Sequence, residues 1–246
     1  MKIFKADLHI HTCLSPCAEL EMTPRKIISE AVKKDLDIIA ITDHNTAENV
    51  PALQSAAKGH NICVIPGMEV TTSEEVHVIA LFENLDKIFL FQNIIYDHLQ
   101  EGENNEDLFG MQVVANEKDE VEYMNKRLLI AATSLPFDRT INEIHNFDGL
   151  AIAAHIDRES YSVISQLGFI PPGQELDALE ISKRISPEKA KIKFKEYDNF
   201  PFITSSDSHT LESIAQVFTS FKIKSPGFNE IKKAFKKEGN RKIIIN

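Results

Sequence analysis

The residues of this chain that could do chemistry gather at the ends of short apolar runs. His9 and His11 form His-x-His at the end of the first run, and side chains two apart on an extended strand face the same side. Two neutral imidazoles held so close are a natural ligand pair for one divalent ion. Glu69, His77, His155, Asp207 and His209 stand at the ends of other runs. A carboxylate among histidines has two oxygens and can bridge two ions. Two ions a few ångströms apart activate a water and stabilise the charge on a phosphoryl group. Taken singly, each residue has a bland explanation. His9 and His11 can be buried polar residues with local hydrogen bonds, His44 in Thr42-Asp43-His44-Asn45 a turn residue, and His209 the cap of a following helix. Together, five run ends terminating in His, Asp or Glu are hard to produce by chance. His60, His98 and His145 fall in turn-like or helical stretches and read as surface residues.

The elements that must position these groups alternate. Lys2–His9 reads as a strand, and Thr23-Pro24 opens a helix as cap and first position. Asp37–Ile41, Ile62–Ile65 and Val76–Phe82 read as the next three strands. The third is expected to break at Pro66-Gly67, and a helix before it closes near Gly59. Leu150–Ala154, Asp177–Ile181 and Pro201–Thr204 read as later strands, with helices opened by Ser186-Pro187 and closed at Gly239. That makes about seven strands alternating with helices, which implies a parallel sheet with its site at the strand C-termini. The segment 83–149 interrupts the rhythm with a helix near Asp86–Leu99, an acidic turn Gln100–Asp107 and a hairpin near Met111–Glu122. A connection this long is functional or a small subdomain. It is expected to be an inserted subdomain over the barrel mouth, with residues 1–246 otherwise one domain.

Composition bounds the rest. The 246 residues carry a formal charge of −10, 43% are hydrophobic and three are cysteines. No apolar run approaches the roughly 20 residues that span a bilayer, and the N-terminus shows no signal-peptide pattern. Three cysteines without an export signal point to a cytoplasmic location. An acidic surface argues against tracking a nucleic-acid backbone. No stable binding of double-stranded nucleic acid and no membrane partner are therefore expected.

Asp7-Leu8-His9-Ile10-His11-Thr12, Ile41-Thr42-Asp43-His44-Asn45, Pro66-Gly67-Met68-Glu69, Ala154-His155 and Ser206-Asp207-Ser208-His209 resemble the successive motifs of the polymerase and histidinol phosphatase (PHP) family. The resemblance implies a distorted (β/α)7 TIM-like barrel, with the inserted segment between strands 4 and 5. It also implies two or three divalent ions (zinc, manganese or iron) at the C-terminal mouth. Carried over by motif, His9, His11, Glu69 and Asp207 hold one ion. Glu69 bridges to a second that takes His155 and His77, while His44 and His209 serve a third. The family's further ligand after His-x-His is Asp or His. Here the segment reads Thr12-Cys13-Leu14-Ser15-Pro16-Cys17. Cys17 is then either the substitute ligand, favouring zinc or iron, or a small hydrophobe that leaves the third site weak or empty.

The reaction this implies is hydrolysis of a phosphate ester by metal-bound hydroxide, with Glu69, Asp207 and His209 as catalytic residues. The partner the resemblance implies is a small-molecule phosphate ester, a nucleoside phosphate or 3′,5′-bisphosphate being favoured over histidinol phosphate. Arg158, Lys183 and Arg184 follow strand ends and are the expected phosphate contacts. Asp7 and Asp43 are expected to orient ligating histidines. Two alternatives stand beside this reading. One is a metal-dependent amidohydrolase or deacylase, for which Lys183 is the sole candidate bridging lysine. The other is a non-catalytic metal-binding accessory module.

Overall fold

The computed structural model describes residues 1–245. The chain runs β1 (Lys2–Ile10), α1 (Pro24–Lys33), β2 (Ile38–Ile41), α2 (Val50–Ala56), β3 (Cys63–Thr71) and β4 (His77–Leu81). An intervening stretch holds α3 (Leu85–His98), α4 (Glu106–Phe109), the short strands β5 (Val113–Ala115) and β6 (Val121–Met124), and α5 (Phe137–Asn146). The chain then continues through β7 (Leu150–Ala153), α6 (Val163–Leu167), β8 (Ala178–Ile181), α7 (Pro187–Lys193) and β9 (Phe202–Thr204). It closes with β10 (Thr219–Ile223), α8 (Phe228–Phe235) and β11 (Lys242–Ile245).

Nine strands form one sheet in the order β11-β10-β1-β2-β3-β4-β7-β8-β9, and β5 and β6 pair separately. The sheet curls into a nearly closed α/β barrel. Beyond β9, Thr204 donates its N–H to Thr219 Oγ1 at 2.8 Å, and Ile10 bridges Ser208. The inner core takes every second residue: Ile38 and Ala40 of β2, Ile79 and Leu81 of β4, Ile152 of β7, Ala178 of β8. Helix α8 presents Phe228, Ile231 and Phe235 to this same core. The outer residues, among them Ile39, Val64 and Met68, pack with the surrounding helices.

Two departures from the sequence expectation bear on the site. The sheet is mixed rather than parallel, because β4 pairs antiparallel with both β3 and β7. Only five residues, 72–76, join β3 to β4. That is too short for a crossover, so a hairpin is the one available connection. His77, at the start of β4, is thereby brought beside the C-terminal end of β3. Second, Pro66-Gly67 does not end β3. Pro66 is the last partner of β2, at Ile41, and Gly67 is the first partner of β4, at Leu81. A Cβ on Gly67 would lie 2.8 Å from the Ile41 carbonyl oxygen. Glycine lets β3 pass from one neighbour to the next, and the strand carries on to Glu69.

A third feature aims the histidines. The β1–β2 ladder is irregular between Asp7 and Ile10, and bulges re-aim side chains. Leu8 lies in the inner core and Ile10 in the outer one. The alternation of β1 therefore changes phase there, and His9 and His11 turn inward at the mouth. The strands β10 and β11, which the sequence reading did not anticipate, extend the sheet by antiparallel pairing beyond β1.

Candidate metal centre

Glu69 lies at the middle of the site, 1% exposed. Its Oε1 is 3.3 Å from His9 Nε2, 2.8 Å from His77 Nδ1 and 3.2 Å from His155 Nε2. Its Oε2 is 3.4 Å from His11 Nε2 and 3.1 Å from His44 Nδ1. Five imidazoles thus surround one carboxylate. Burial alone would raise its pKa, but the charges of His77, His9 and His44 hold it well below the usual range.

Asp207 adds a second carboxylate, with Oδ1 3.5 Å from His9 Nε2 and 3.4 Å from His11 Nε2. It stands against burial as a well-depressed acid because His9 and His11 face it. His155 and Asp207 both have positive φ, 29° and 49°. Such backbone strain persists only where the surroundings impose it, and it gathers at functional sites.

The rings are oriented from behind. Ser15 Oγ donates to Asp43 Oδ1 at 2.7 Å and lies 2.9 Å from His11 Nδ1. With Nδ1 turned to Ser15, Nε2 is the His11 nitrogen that faces the cluster. Asp43 also takes the backbone N–H and hydroxyl of Thr12, each at 2.7 Å. It therefore reaches a histidine only through Ser15. Asp7 acts on backbone groups and on the Ser206 hydroxyl. It accepts from the Ser206 N–H at 3.0 Å, the Ser206 hydroxyl at 2.5 Å and the Ala215 N–H at 2.9 Å, and so anchors the turn that carries Asp207. Burial, opposed by these hydrogen bonds, leaves Asp7 raised to about 6.

His9 is held by a residue the sequence reading missed. Its Nδ1 lies 3.0 and 3.2 Å from the two oxygens of Glu180, and Glu180 Oε2 also accepts the His155 N–H at 3.0 Å. The signal was present: Glu180 follows Ala178 by two residues in a buried strand, so it must share the inner face. A carboxylate behind a ligating imidazole fixes the tautomer and raises ligand basicity. Glu180→Gln is expected to weaken ion binding at the His9 nitrogen by about 10–100-fold, read by competition with a chromophoric chelator. Unchanged affinity would show that His9 is oriented without it.

The donor set fits divalent ions. His44 Nδ1 and His77 Nδ1 are buried, make no hydrogen bond and lie close to Glu69. Nitrogens so placed lack the partner a buried polar atom needs, and an ion among them supplies it. Among the described residues, three groups converge closely enough to share an ion: His9, His11 and Glu69; His44, Glu69 and His77; and His11, Cys17, His44 and His209. Cys17 is exposed as a residue, yet desolvation of its thiol, with Glu69 and Asp207 nearby, pushes it up to about 12. The intervening segment supports its loop. A Cβ on Gly110, whose φ is +102°, would fall 2.3 Å from the Pro16 carbonyl oxygen, and Val113 N–H donates to Cys13 O at 2.9 Å.

Beside the centre lies a cavity of about 370 Å³ lined by Arg158, Lys183, Arg184, Asp207, His209 and Ser182 among others. All three cations expected to meet phosphate thus share one wall. Arg158 is paired through Nη1 with Asp207 Oδ2, and Lys183 Nζ donates to Gln216 at 2.9 Å.

Residues 7–170 match the PHP domain, and residues 189–239 the PHP-associated region. The chain belongs to the PHP domain family. An uncharacterized protein of Methanocaldococcus jannaschii is 37% identical over 90 residues, 33% of this chain and 52% of that protein. The 5′-3′ exoribonuclease Rnm of Salmonella typhimurium is 34% identical over 85 residues, 32% of this chain and 27% of that enzyme. The matches thus span about half of the first relative and about a quarter of the second. The lesion-specific endonuclease Q of Pyrococcus furiosus shares the fold, with a TM-score of 0.76 at 20% identity over 98% of this chain and 58% of that one. A complex of endonuclease Q with a 27-mer duplex carrying an abasic lesion aligns with a TM-score of 0.74 at 19% identity, again over 98% of this chain and 58% of that one.

These matches overturn the expected partner. The family resemblance implies a small phosphate ester, and the net charge of −10 argues against duplex nucleic acid. Yet the PHP relatives include nucleases, and one fold relative holds a duplex at its active site. The physical error lies in averaging: net charge sums the whole surface, while binding depends on the local field at the site. Here Arg158, Lys183 and Arg184 line the cavity beside the centre. Among the described residues no helix is long and apolar enough to cross a membrane.

Proposed function

We propose that this PHP chain hydrolyses phosphoester bonds of nucleic acid, working from a strand end. The observation that carries the proposal is a carboxylate, Glu69, faced by five imidazoles and opening beside a cavity walled by three cations. The exoribonuclease among its relatives supports the choice of polymer and end.

In this reading His9, His11, Asp207 and Glu69 hold one ion, Glu69 with His77 and His155 a second, and Cys17, His44 and His209 a third. Bound ions supply the positive charge that activates water and stabilises the phosphoryl oxygens. The protein supplies position. Glu180 and Ser15 engage the Nδ1 atoms of His9 and His11, so that each Nε2 faces the cluster and can ligate once its proton is displaced. Arg158 and Arg184 offer planar forks for phosphate oxygens, and Lys183 a point charge. Asp207 and His209, with side chains 11% and 29% exposed, are among the members of the cluster that a substrate can touch. Burial and the neighbouring His11 push His209 down to about 4, so its ring is neutral at pH 7 and can offer a lone pair to an ion.

A substrate panel tests the proposal. With zinc, manganese or iron added, the protein is expected to release mononucleotides from 5′-phosphorylated oligonucleotides, resolved on denaturing gels. Hydrolysis of small phosphate monoesters with every oligonucleotide left intact would overturn it.

A further inference from the structure

We infer that Tyr161 is a stacking platform for the nucleobase of the terminal nucleotide, an inference that rests on the nucleic-acid reading above. Tyr161 lies in the loop between β7 and α6. One face of its ring stacks on His77, with centroids 4.6 Å apart and planes inclined by 21°. The residue is nonetheless 43% exposed, so the ring stands at the edge of the centre with surface left open to solvent.

The backbone holds it there against its own preference. Tyr161 has φ +57°, a conformation that bulky L-residues rarely adopt and that surrounding contacts must enforce. Those contacts are present. The Tyr161 carbonyl accepts the His77 N–H at 2.9 Å. The next residue, Ser162, caps α6 through a reciprocal capping box and donates its hydroxyl to the Arg158 carbonyl at 2.8 Å. An aromatic ring pinned in the open is the reverse of what core packing alone produces.

The same short loop carries His155 at the centre and Arg158 on the wall of the cationic cavity. A nucleotide with its scissile bond at the centre would then meet Arg158 at phosphate and Tyr161 at the base, two groups of the loop that also carries His155. Base–aromatic stacking tolerates any sequence, because every base has a π-face. The platform thus implies a preference for an unpaired terminal nucleotide without a preference among bases.

The test uses the metal-loaded protein and two 5′-phosphorylated strands, identical except that one has an abasic terminal sugar. Tyr161→Ala is expected to raise KM roughly tenfold on the base-bearing strand, with kcat little changed and the abasic strand unaffected; Tyr161→Phe is expected to match the parent. A terminal 2-aminopurine, on a strand protected by a phosphorothioate linkage, should be quenched by the parent and the Phe variant but not by the Ala variant. An equal fall in kcat on both strands with reduced ion content would show that Tyr161 only positions His77, and would overturn the platform. Cleavage with KM unchanged in Tyr161→Ala also overturns it while leaving the nuclease reading intact. A parent protein that cleaves neither strand rejects that reading and the platform with it.

Discussion

Glutamine in place of Glu69 is expected to cut turnover by about 10³-fold or more and to weaken two ions at once. The two oxygens of Glu69 face different rings: Oε1 meets His9, His77 and His155, and Oε2 meets His11 and His44. Glutamine keeps the shape but replaces one oxygen with an NH2 group, which donates and cannot ligate. It also removes the negative charge that lies between the proposed ions. Any single-site ligand, by contrast, should weaken one ion. Metal analysis after dialysis, alongside kcat and a circular dichroism check of folding, reads the difference. Full ion content with lost turnover would mean that Glu69 handles a proton and does not bridge. Retained turnover would remove it from the centre.

The parts of the site that were legible in the sequence are those fixed by short-range geometry. His9-x-His11 on one strand and Asp207-x-His209 on one turn can be read from spacing alone, and the strand ends that carry Glu69 and His155 follow from apolar runs of the right length. What was not legible depends on neighbours distant in sequence. Pro66-Gly67 looks like a strand break, but the Ile41 carbonyl and the Leu81 side chain leave room there only for glycine. The stretch 72–76 carries no signal of its own in the sequence, yet its shortness forces β4 to run backward and brings His77 to Glu69. Glu180 could have been found from period two in β8, since an acid facing the barrel interior must have a partner. Tyr161 could not. Its position depends on a positive φ and on a hydrogen bond to a residue 84 positions earlier in the chain.

Removing the ions is expected to destabilise the protein, and more so at higher pH. Each site held at a thousandfold excess over its dissociation constant contributes about 4 kcal/mol, or roughly 10 °C in Tm for a chain of this size. The pH dependence follows from the histidines of the metal-free protein. Burial opposes the charge on His11, but Asp207 and Glu69 raise its pKa to about 9. The folded state therefore binds a proton that the unfolded state has released above about 6.5, so His11 stabilises below that pH and ceases to do so as pH rises through 9. His209, depressed to about 4, acts in the opposite sense: the unfolded state binds the extra proton between 4 and 6.5, and stability rises over that range. The chelated protein should be most stable near pH 6–7. Ions must displace the His11 proton below pH 9, so their binding releases protons and strengthens as pH rises. The Tm difference between loaded and chelated protein should therefore be larger at pH 8.5 than at pH 6.5. Titration calorimetry in two buffers of different ionisation enthalpy should show the released proton. An equal Tm difference at both values would mean that His11 enters the metal-free protein already neutral, and that Glu69 and Asp207 do not hold its proton.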